Sequence, residues 1–105
     1  MTEAIVVTAV FTPAPGKFDA VYEALVPAIS AVHDEPGCEI YAIHKAPDGT
    51  IVMLEKWESA ELLDSHGAGE AVAALNVALD GLLQRPVEVT RLQPLPVGSE
   101  IQGAL

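Results

Sequence analysis

The sequence has one cysteine and few basic residues, and each scarcity narrows the classes of protein to which it can belong. The single cysteine, Cys38, excludes an internal disulfide and every zinc site built on paired cysteines, and it fits a reducing compartment. Only 5 lysines and arginines stand against 15 acidic residues, and the formal charge of −10 repels phosphate backbones and anionic lipids. We therefore expect neither nucleic acid nor a membrane surface as a partner.

Long apolar runs and the common nucleotide- and metal-binding motifs are also missing. No stretch approaches the roughly 18 apolar residues of a membrane-spanning helix, and no basic segment leads into an apolar secretory signal. Glycine-rich nucleotide loops, the G-x-S-x-G of serine hydrolases and the H-E-x-x-H of zinc proteases do not occur. Three histidines far apart in the chain make a poor metal site. The expectation is a cytoplasmic protein without a bound metal or cofactor.

What is present predicts one small domain with a single core, because half of the 105 residues are hydrophobic. Apolar spacing and turn residues predict a strand over 4–11, a helix over about 17–34 that continues through Pro27, and two hairpin strands over 38–46 and 50–58. A short helix capped by Ser59 follows, then a helical stripe from Val72 to Leu83 and a strand over 86–92. This β-α-β-β-α-β order predicts a ferredoxin-like α+β domain over residues 1–93, followed by an arm or tail over 94–105.

The hairpin turn determines which side chains share a face of the sheet. The dipeptide Asp48-Gly49 favours a two-residue turn, which would pair His44 with Met53. The helix-covered face would then carry one set of residues: Ile40, Ala42, His44, Met53, Glu55 and Trp57. The other face would carry a second set: Tyr41, Ile43, Val52 and Leu54. A bulge would shift one strand by one residue and invert half of this assignment.

Both predicted faces have apolar centres, although a ferredoxin-like sheet is covered by helices on one side only. The uncovered side would leave an apolar patch in water. We therefore expect a homodimer in which a second copy covers that patch.

One cluster of polar and aromatic residues is suited to chemistry. The short helix after Ser59 would bring His66 over the strand end that carries Glu55 and Trp57, so His66 and Glu55 are the candidate catalytic residues. Trp57, Met53 and His44 are the candidate substrate-binding residues, because an aromatic wall binds flat ligands and excludes water. Structural roles remain open for them: a helix-end dipole contact for His66, a lysine-paired surface carboxylate for Glu55, a core position for Trp57 and an exposed hairpin end for His44.

A combination of short motifs resembles the antibiotic biosynthesis monooxygenase family, including its quinol monooxygenase branch. The motifs are Glu35-Pro36-Gly37-Cys38 leading to Tyr41, then Glu55-x-Trp57, then Leu62 and His66. The resemblance implies a dimeric α/β barrel that oxidises a small aromatic or quinol substrate with dioxygen, without metal, flavin or haem. It also implies that Trp57 lines the pocket, that His66 handles the proton and that Glu55 orients it or acts as a second base.

Two departures from the family pattern narrow this expectation. Some relatives have an asparagine four residues before the tryptophan, where this chain has Met53, which disfavours anthrone oxygenation. The haem-degrading branch has an asparagine on the first strand, where this chain has Val7, Thr8 and Ala9. Two other functions therefore stay open: a non-catalytic stress-response dimer that binds a small ligand, and an isomerase on the same scaffold.

Overall fold

The computed structural model describes residues 3–105 and has the ferredoxin-like architecture that the element order predicts; residues 1 and 2 of the predicted domain lie outside the described residues. Its elements are β1 (Ile5–Phe11), α1 (Phe18–His33), β2 (Cys38–Lys45), β3 (Ile51–Trp57), α2 (Ala60–Gly67), α3 (Glu70–Leu79) and β4 (Glu88–Leu92). The four strands form one antiparallel sheet in the order β2-β3-β1-β4. Within residues 3–105, no helix is both long and apolar enough to cross a membrane.

Helix α1 runs unbroken through Pro27, as predicted. A proline inside a helix lacks one backbone donor, so other interactions must keep the helix in place. The buried stripe provides them, because it presses one face of α1 against the sheet with these residues: Val21, Leu25, Ala28 and Val32.

The second helical region consists of two helices, as predicted, but the second of them ends earlier than predicted. The side chain of Ser59 accepts a hydrogen bond from the Leu62 amide at 3.2 Å, which confirms the predicted cap of α2. Helix α3 ends at Leu79, so the expectation that the helix includes Leu82 and Leu83 is wrong. Both residues instead join the chain after β1: the Leu82 carbonyl accepts from the Ala14 amide at 2.9 Å, and Leu83 forms a β-bridge with Pro13.

The β2–β3 hairpin corrects the predicted pairing by one residue. Lys45 pairs with Ile51, and the Ala46 amide donates to the Thr50 carbonyl at 2.9 Å, so three residues rather than two form the loop. Gly49 has a φ of +86°, as the last position of a three-residue hairpin loop with a bulge requires. A second irregularity between Cys38 and Ile40 keeps Cys38 opposite Trp57.

This shift inverts the face of β2 and leaves β3 where it was predicted. Tyr41 pairs with Glu55 and Ile43 pairs with Met53, so both β2 side chains lie on the helix-covered face. The prediction that His44 shares that face is wrong, because His44 pairs with Val52 and is exposed on the opposite side. The uncovered face instead carries half-buried apolar side chains: Val10, Ile40, Ala42, Val52 and Leu54.

The connection between α1 and β2 is a tight turn packed against α2. The Cys38 amide donates to the Glu35 carbonyl at 3.3 Å, with Pro36 and Gly37 at the two central positions. Pro36 presets its own φ, and Gly37 takes a φ of +82°, the pattern of a type II turn. A Cβ on Gly37 would lie 2.5 Å from Leu62 Cδ1 of α2, so the turn approaches the helix as closely as only glycine allows.

Replacing Gly37 by Ala is expected to destabilise the protein beyond the cost of a positive φ. The added Cβ must displace Leu62, and overpacking of this kind typically costs about 1–3 kcal/mol. The matched control is Gly16→Ala, because Gly16 has a φ of +77° with no atom within 4 Å of an added Cβ. Urea unfolding should show Gly37→Ala to be the less stable variant by about that amount, and equal losses would contradict the close-packing interpretation.

Candidate active site

A cavity of about 210 Å³ lies between the helix-covered face of the sheet and helices α2 and α3. Its walls are mostly apolar, formed by residues that include Val7, Ala9, Phe11, Leu63, Leu75 and Leu79. Its polar lining consists of Tyr41, Glu55, His66, Asn76 and Arg91. Pockets for drug-sized ligands usually measure roughly 300–1,000 Å³, so this one suits a small molecule.

His66 reaches the cavity from the last turn of α2, where it is 8% exposed. Its ring lies over Trp57, with a centroid separation of 4.5 Å and an angle of 31° between the planes. The Tyr41 ring meets His66 edge-on at 5.4 Å. Two aromatic neighbours therefore restrict the orientation of the imidazole, which suits a group that must face a ligand in one geometry.

Glu55 faces the same cavity from β3 and is 5% exposed. Trp57 Nε1 donates to Glu55 Oε1 at 2.9 Å, which holds the carboxyl group in place. Burial raises the pKa of Glu55 above its ordinary value, while the Trp57 hydrogen bond and the charge of His66 oppose that increase. A carboxyl group in this setting can gain or lose a proton nearer to neutral pH than a surface glutamate.

Tyr41 places a phenol beside these two groups. Burial and, next, the Glu55 carboxylate raise the pKa of Tyr41 above its ordinary value, so the hydroxyl keeps its proton at neutral pH. A protonated phenol that lines a cavity can donate a hydrogen bond to an oxygen atom of a ligand.

Two further carboxylates lie next to the cavity and contact its basic groups. Glu35 Oε1 is 2.6 Å from His66 Nδ1, and the Glu35 side chain is 22% exposed. Arg91 of β4 donates to Asp64 Oδ1 of α2 at 2.6 Å, across the solvent side of the cavity. Both partners of this second pair are exposed, so it contributes little to stability, but it bridges the sheet and α2.

The structure brings together only part of the predicted site. His66 and Glu55 both line the cavity. Trp57 and Met53 lie on the predicted face but are completely buried behind the lining, where Trp57 supports His66 and Glu55. The placement of His44 in the pocket is wrong, because the register shift turns its side chain to the opposite face.

The residues that the sequence analysis missed differ in whether the sequence signals them. Arg91 and Val89 alternate along β4, Val87 continues this period of two just before the strand, and all three line the cavity. Tyr41 would have been found if Pro47-Asp48-Gly49 had been interpreted as a three-residue loop. Glu35 opens the first of the quoted motifs, but no local spacing signals its contact with a histidine 31 positions away. Among residues 3–105, no group of three or more His, Cys, Asp or Glu side chains is arranged to hold a metal ion.

The family model for antibiotic biosynthesis monooxygenase matches residues 4–77, which include β1 to β3, α2 and most of α3. This chain belongs to that family. Rv0793 of Mycobacterium tuberculosis, whose name assigns it provisionally to the monooxygenases, is 33% identical over 100 residues that cover 94% of this chain and 99% of that protein. The match extends over nearly the whole chain, and the family assigns this member to the monooxygenase class.

Solved structures agree with the fold of this family member. The structure of Rv0793 has a TM-score of 0.84 at 32% identity and covers 92% of this chain and 100% of its own. PA3566 of Pseudomonas aeruginosa has a TM-score of 0.81 at 26% identity, covering 90% and 97%. A protein of Caulobacter crescentus, with a TM-score of 0.83 at 22% identity over 90% and 92%, shows the shared fold alone.

Replacing Glu55 by Gln is expected to change how stability depends on pH. Because folding raises the pKa of Glu55 above its ordinary 4.5, the native state holds this proton more tightly than the unfolded chain. The burial of an ionised Glu55 therefore does not lower wild-type stability at a pH below the unfolded-state pKa. It lowers the free energy of unfolding by its full amount at a pH above the folded-state pKa. The free energy of unfolding of Glu55→Gln relative to wild type should rise with pH across that interval and then level off.

Urea unfolding at a series of values from about pH 4 to pH 7 measures this difference. The matched control is Glu58→Gln, which removes an exposed carboxylate just beyond the end of the same strand. A difference between Glu55→Gln and wild type that stays flat with pH, or that follows the same course as Glu58→Gln, would contradict the raised pKa of Glu55.

Proposed function

We propose that the protein is a monooxygenase that oxidises a small quinol-type aromatic substrate with dioxygen and takes all the reducing electrons from that substrate. The observation that carries the proposal is that a buried imidazole, His66, and a buried carboxyl group, Glu55, line the same small apolar cavity. Apolar walls fit an aromatic ring and exclude water, and the two titratable groups can accept and return a proton. Family membership supports the same class of reaction.

The proposed reaction balances without an added reductant. His66 accepts a hydroxyl proton from a hydroquinone, and the resulting phenolate transfers one electron to dioxygen. The semiquinone and superoxide radicals combine to form a carbon–oxygen bond. The peroxide then takes up a proton, its O–O bond breaks and the ring carbon loses its hydrogen, which releases water and leaves a hydroxyquinone. Hydroquinone and O₂ thus give hydroxyquinone and H₂O.

Each lining group has a role in this scheme that follows from its chemistry. Tyr41, whose raised pKa keeps its hydroxyl protonated, donates to the substrate oxygen that becomes anionic. Arg91 carries the one lysine or arginine charge among the lining residues, at the solvent side of the cavity, and attracts a phenolate. Glu55 lies within electrostatic range of His66 and serves as the second proton acceptor.

We also propose that the working unit is a homodimer joined through the uncovered sheet face. That face carries Val10, Val52 and Leu54 in a half-buried state, and no helix of residues 3–105 packs on it. A second copy would remove this apolar area from water, which is the main favourable contribution to association.

The function is tested by oxygen uptake and isotope labelling with a panel of benzohydroquinones, naphthohydroquinones and polyphenols. With ¹⁸O₂, the product should gain one labelled oxygen atom and the other should appear in water. His66→Ala should lower kcat by about 10²- to 10⁴-fold, the usual contribution of a general base, in protein that still unfolds cooperatively in urea.

Other outcomes of this experiment identify other functions. Stoichiometric hydrogen peroxide without label in the product would indicate an oxidase, and a changed product without oxygen loss would indicate an isomerase. Thermal stabilisation by panel members that are never turned over would indicate a binding protein. Unchanged turnover in His66→Ala would remove His66 from the mechanism.

The dimer is tested by light scattering on the purified protein at micromolar concentration. The expected mass is twice the 11.0 kDa of one chain. Leu54→Glu should shift the equilibrium towards monomer, because it places a charge in the proposed interface. Glu88→Ala, at an exposed position of β4 on the same face, is a control that should stay dimeric. A mass of one chain for the wild type would refute the proposal.

A further inference from the structure

We infer that Glu35 is a positioning residue for His66, which fixes the imidazole tautomer so that Nε2 is the proton acceptor in the cavity. The inference deepens the proposed function and rests on it for its kinetic consequence. Its geometric basis is the 2.6 Å contact between Glu35 Oε1 and His66 Nδ1. An ionised carboxylate can only accept, so Nδ1 carries the proton in the neutral ring.

The other ring nitrogen is left for a ligand. Nε2 of His66 makes no hydrogen bond with residues 3–105, yet it is not among the buried polar atoms that lack a partner, so it is open to the cavity. With Nδ1 protonated, Nε2 has the lone pair that accepts a hydroxyl proton. The Glu35 carboxylate then stabilises the positive charge that the ring acquires, as the acidic member of a catalytic triad does.

Glu35 is held in place by the backbone rather than by side-chain contacts alone. Its carbonyl closes the turn formed with Pro36 and Gly37. The proline ring fixes the φ of Pro36, and Gly37 adopts the positive φ that this turn requires. The same turn contacts Leu62 through Gly37, one helical turn before His66 on α2. The carboxylate and the imidazole therefore project from two backbone segments that are already packed together.

Neighbouring groups leave this assignment to Glu35. The two rings beside His66 restrict its tilt, but neither is hydrogen-bonded to it, so they cannot select a tautomer. Glu55, whose Oε1 accepts from Trp57 Nε1, forms no hydrogen bond with His66. Among residues 3–105, Glu35 is thus the residue that contacts one ring nitrogen of His66, Nδ1, and not the other.

The first test reads the tautomer directly and needs no activity. Long-range ¹H–¹⁵N NMR at about pH 8, where an ordinary histidine is neutral, should show Nδ1–H for His66 in the wild type. His66→Ala identifies its signals among the three histidines. Glu35→Gln should keep Nδ1–H, because the amide oxygen still accepts, whereas Glu35→Ala should change to Nε2–H, the form that a free imidazole prefers.

The second test separates the charge of Glu35 from its hydrogen bond. With the most active hydroquinone of the panel, Glu35→Ala and Glu35→Gln should both lower kcat by at least about tenfold but less than His66→Ala, with KM nearly unchanged. The matched control is Glu39→Gln, which removes an exposed carboxylate four residues away and should change neither tautomer nor kcat.

The outcomes separate this inference from the proposed function. Nε2–H in the wild type, or Nδ1–H retained in Glu35→Ala, overturns it whether or not any substrate is oxidised. If the protein oxidises nothing in the panel but the tautomer changes as expected, the positioning stands and the monooxygenase proposal fails. If Glu35→Ala does not fold, Glu35→Gln decides, and wild-type kcat in that variant overturns the role of the carboxylate charge.

Discussion

The pairing register of β2 with β3 is the constraint on which the cavity depends. Side chains alternate along a strand, so one residue of slippage exchanges the two faces of β2 completely. In the observed register Tyr41 stands opposite Glu55 and points towards the helices, while His44 points away. The three-residue loop ending at Gly49 and the irregularity between Cys38 and Ile40 maintain this register at the two ends of the hairpin. Without them Ala42 would stand opposite Glu55, and the cavity would lose the Tyr41 phenol.

Around this hairpin, buried polar groups are satisfied by one another, which allows them to lie next to an apolar cavity. Trp57 donates a hydrogen bond to Glu55, and Glu35 contacts His66. Among residues 3–105, no fully buried side-chain nitrogen or oxygen lacks a hydrogen-bond partner. A buried polar group without a partner costs considerable free energy, whereas a satisfied network can be rigid and specific. The same contacts that remove this cost also fix the directions in which Glu55 and His66 present their reactive atoms. Stability and orientation therefore have a common physical origin at this site.

Trp57 supports the polar residues of the cavity rather than forming its wall. A tryptophan near a pocket suggests a wall against which a substrate stacks, but this one is completely buried behind His66 and Glu55. Its ring supports the imidazole and its N–H holds the carboxyl group. The ligand would instead meet the apolar side chains of β1 and α3, together with Tyr41. With a volume of about 210 Å³, the cavity has room for a small molecule.

The amino-acid sequence by itself determined the order of the elements, the cap at Ser59, the passage of α1 through Pro27, and the face on which Glu55 and Trp57 lie. These features depend on local spacing: the period of an element, its capping residue and the alternation along a strand. The tertiary structure alone decided the register of β2, the end of α3 before Leu82 and the contact between Glu35 and His66. Each of these features depends on contacts between segments that are far apart in the sequence. A loop of two or three residues around Asp48-Gly49 is locally almost equivalent, and only the burial of Tyr41 and Ile43 against the helices selects between them.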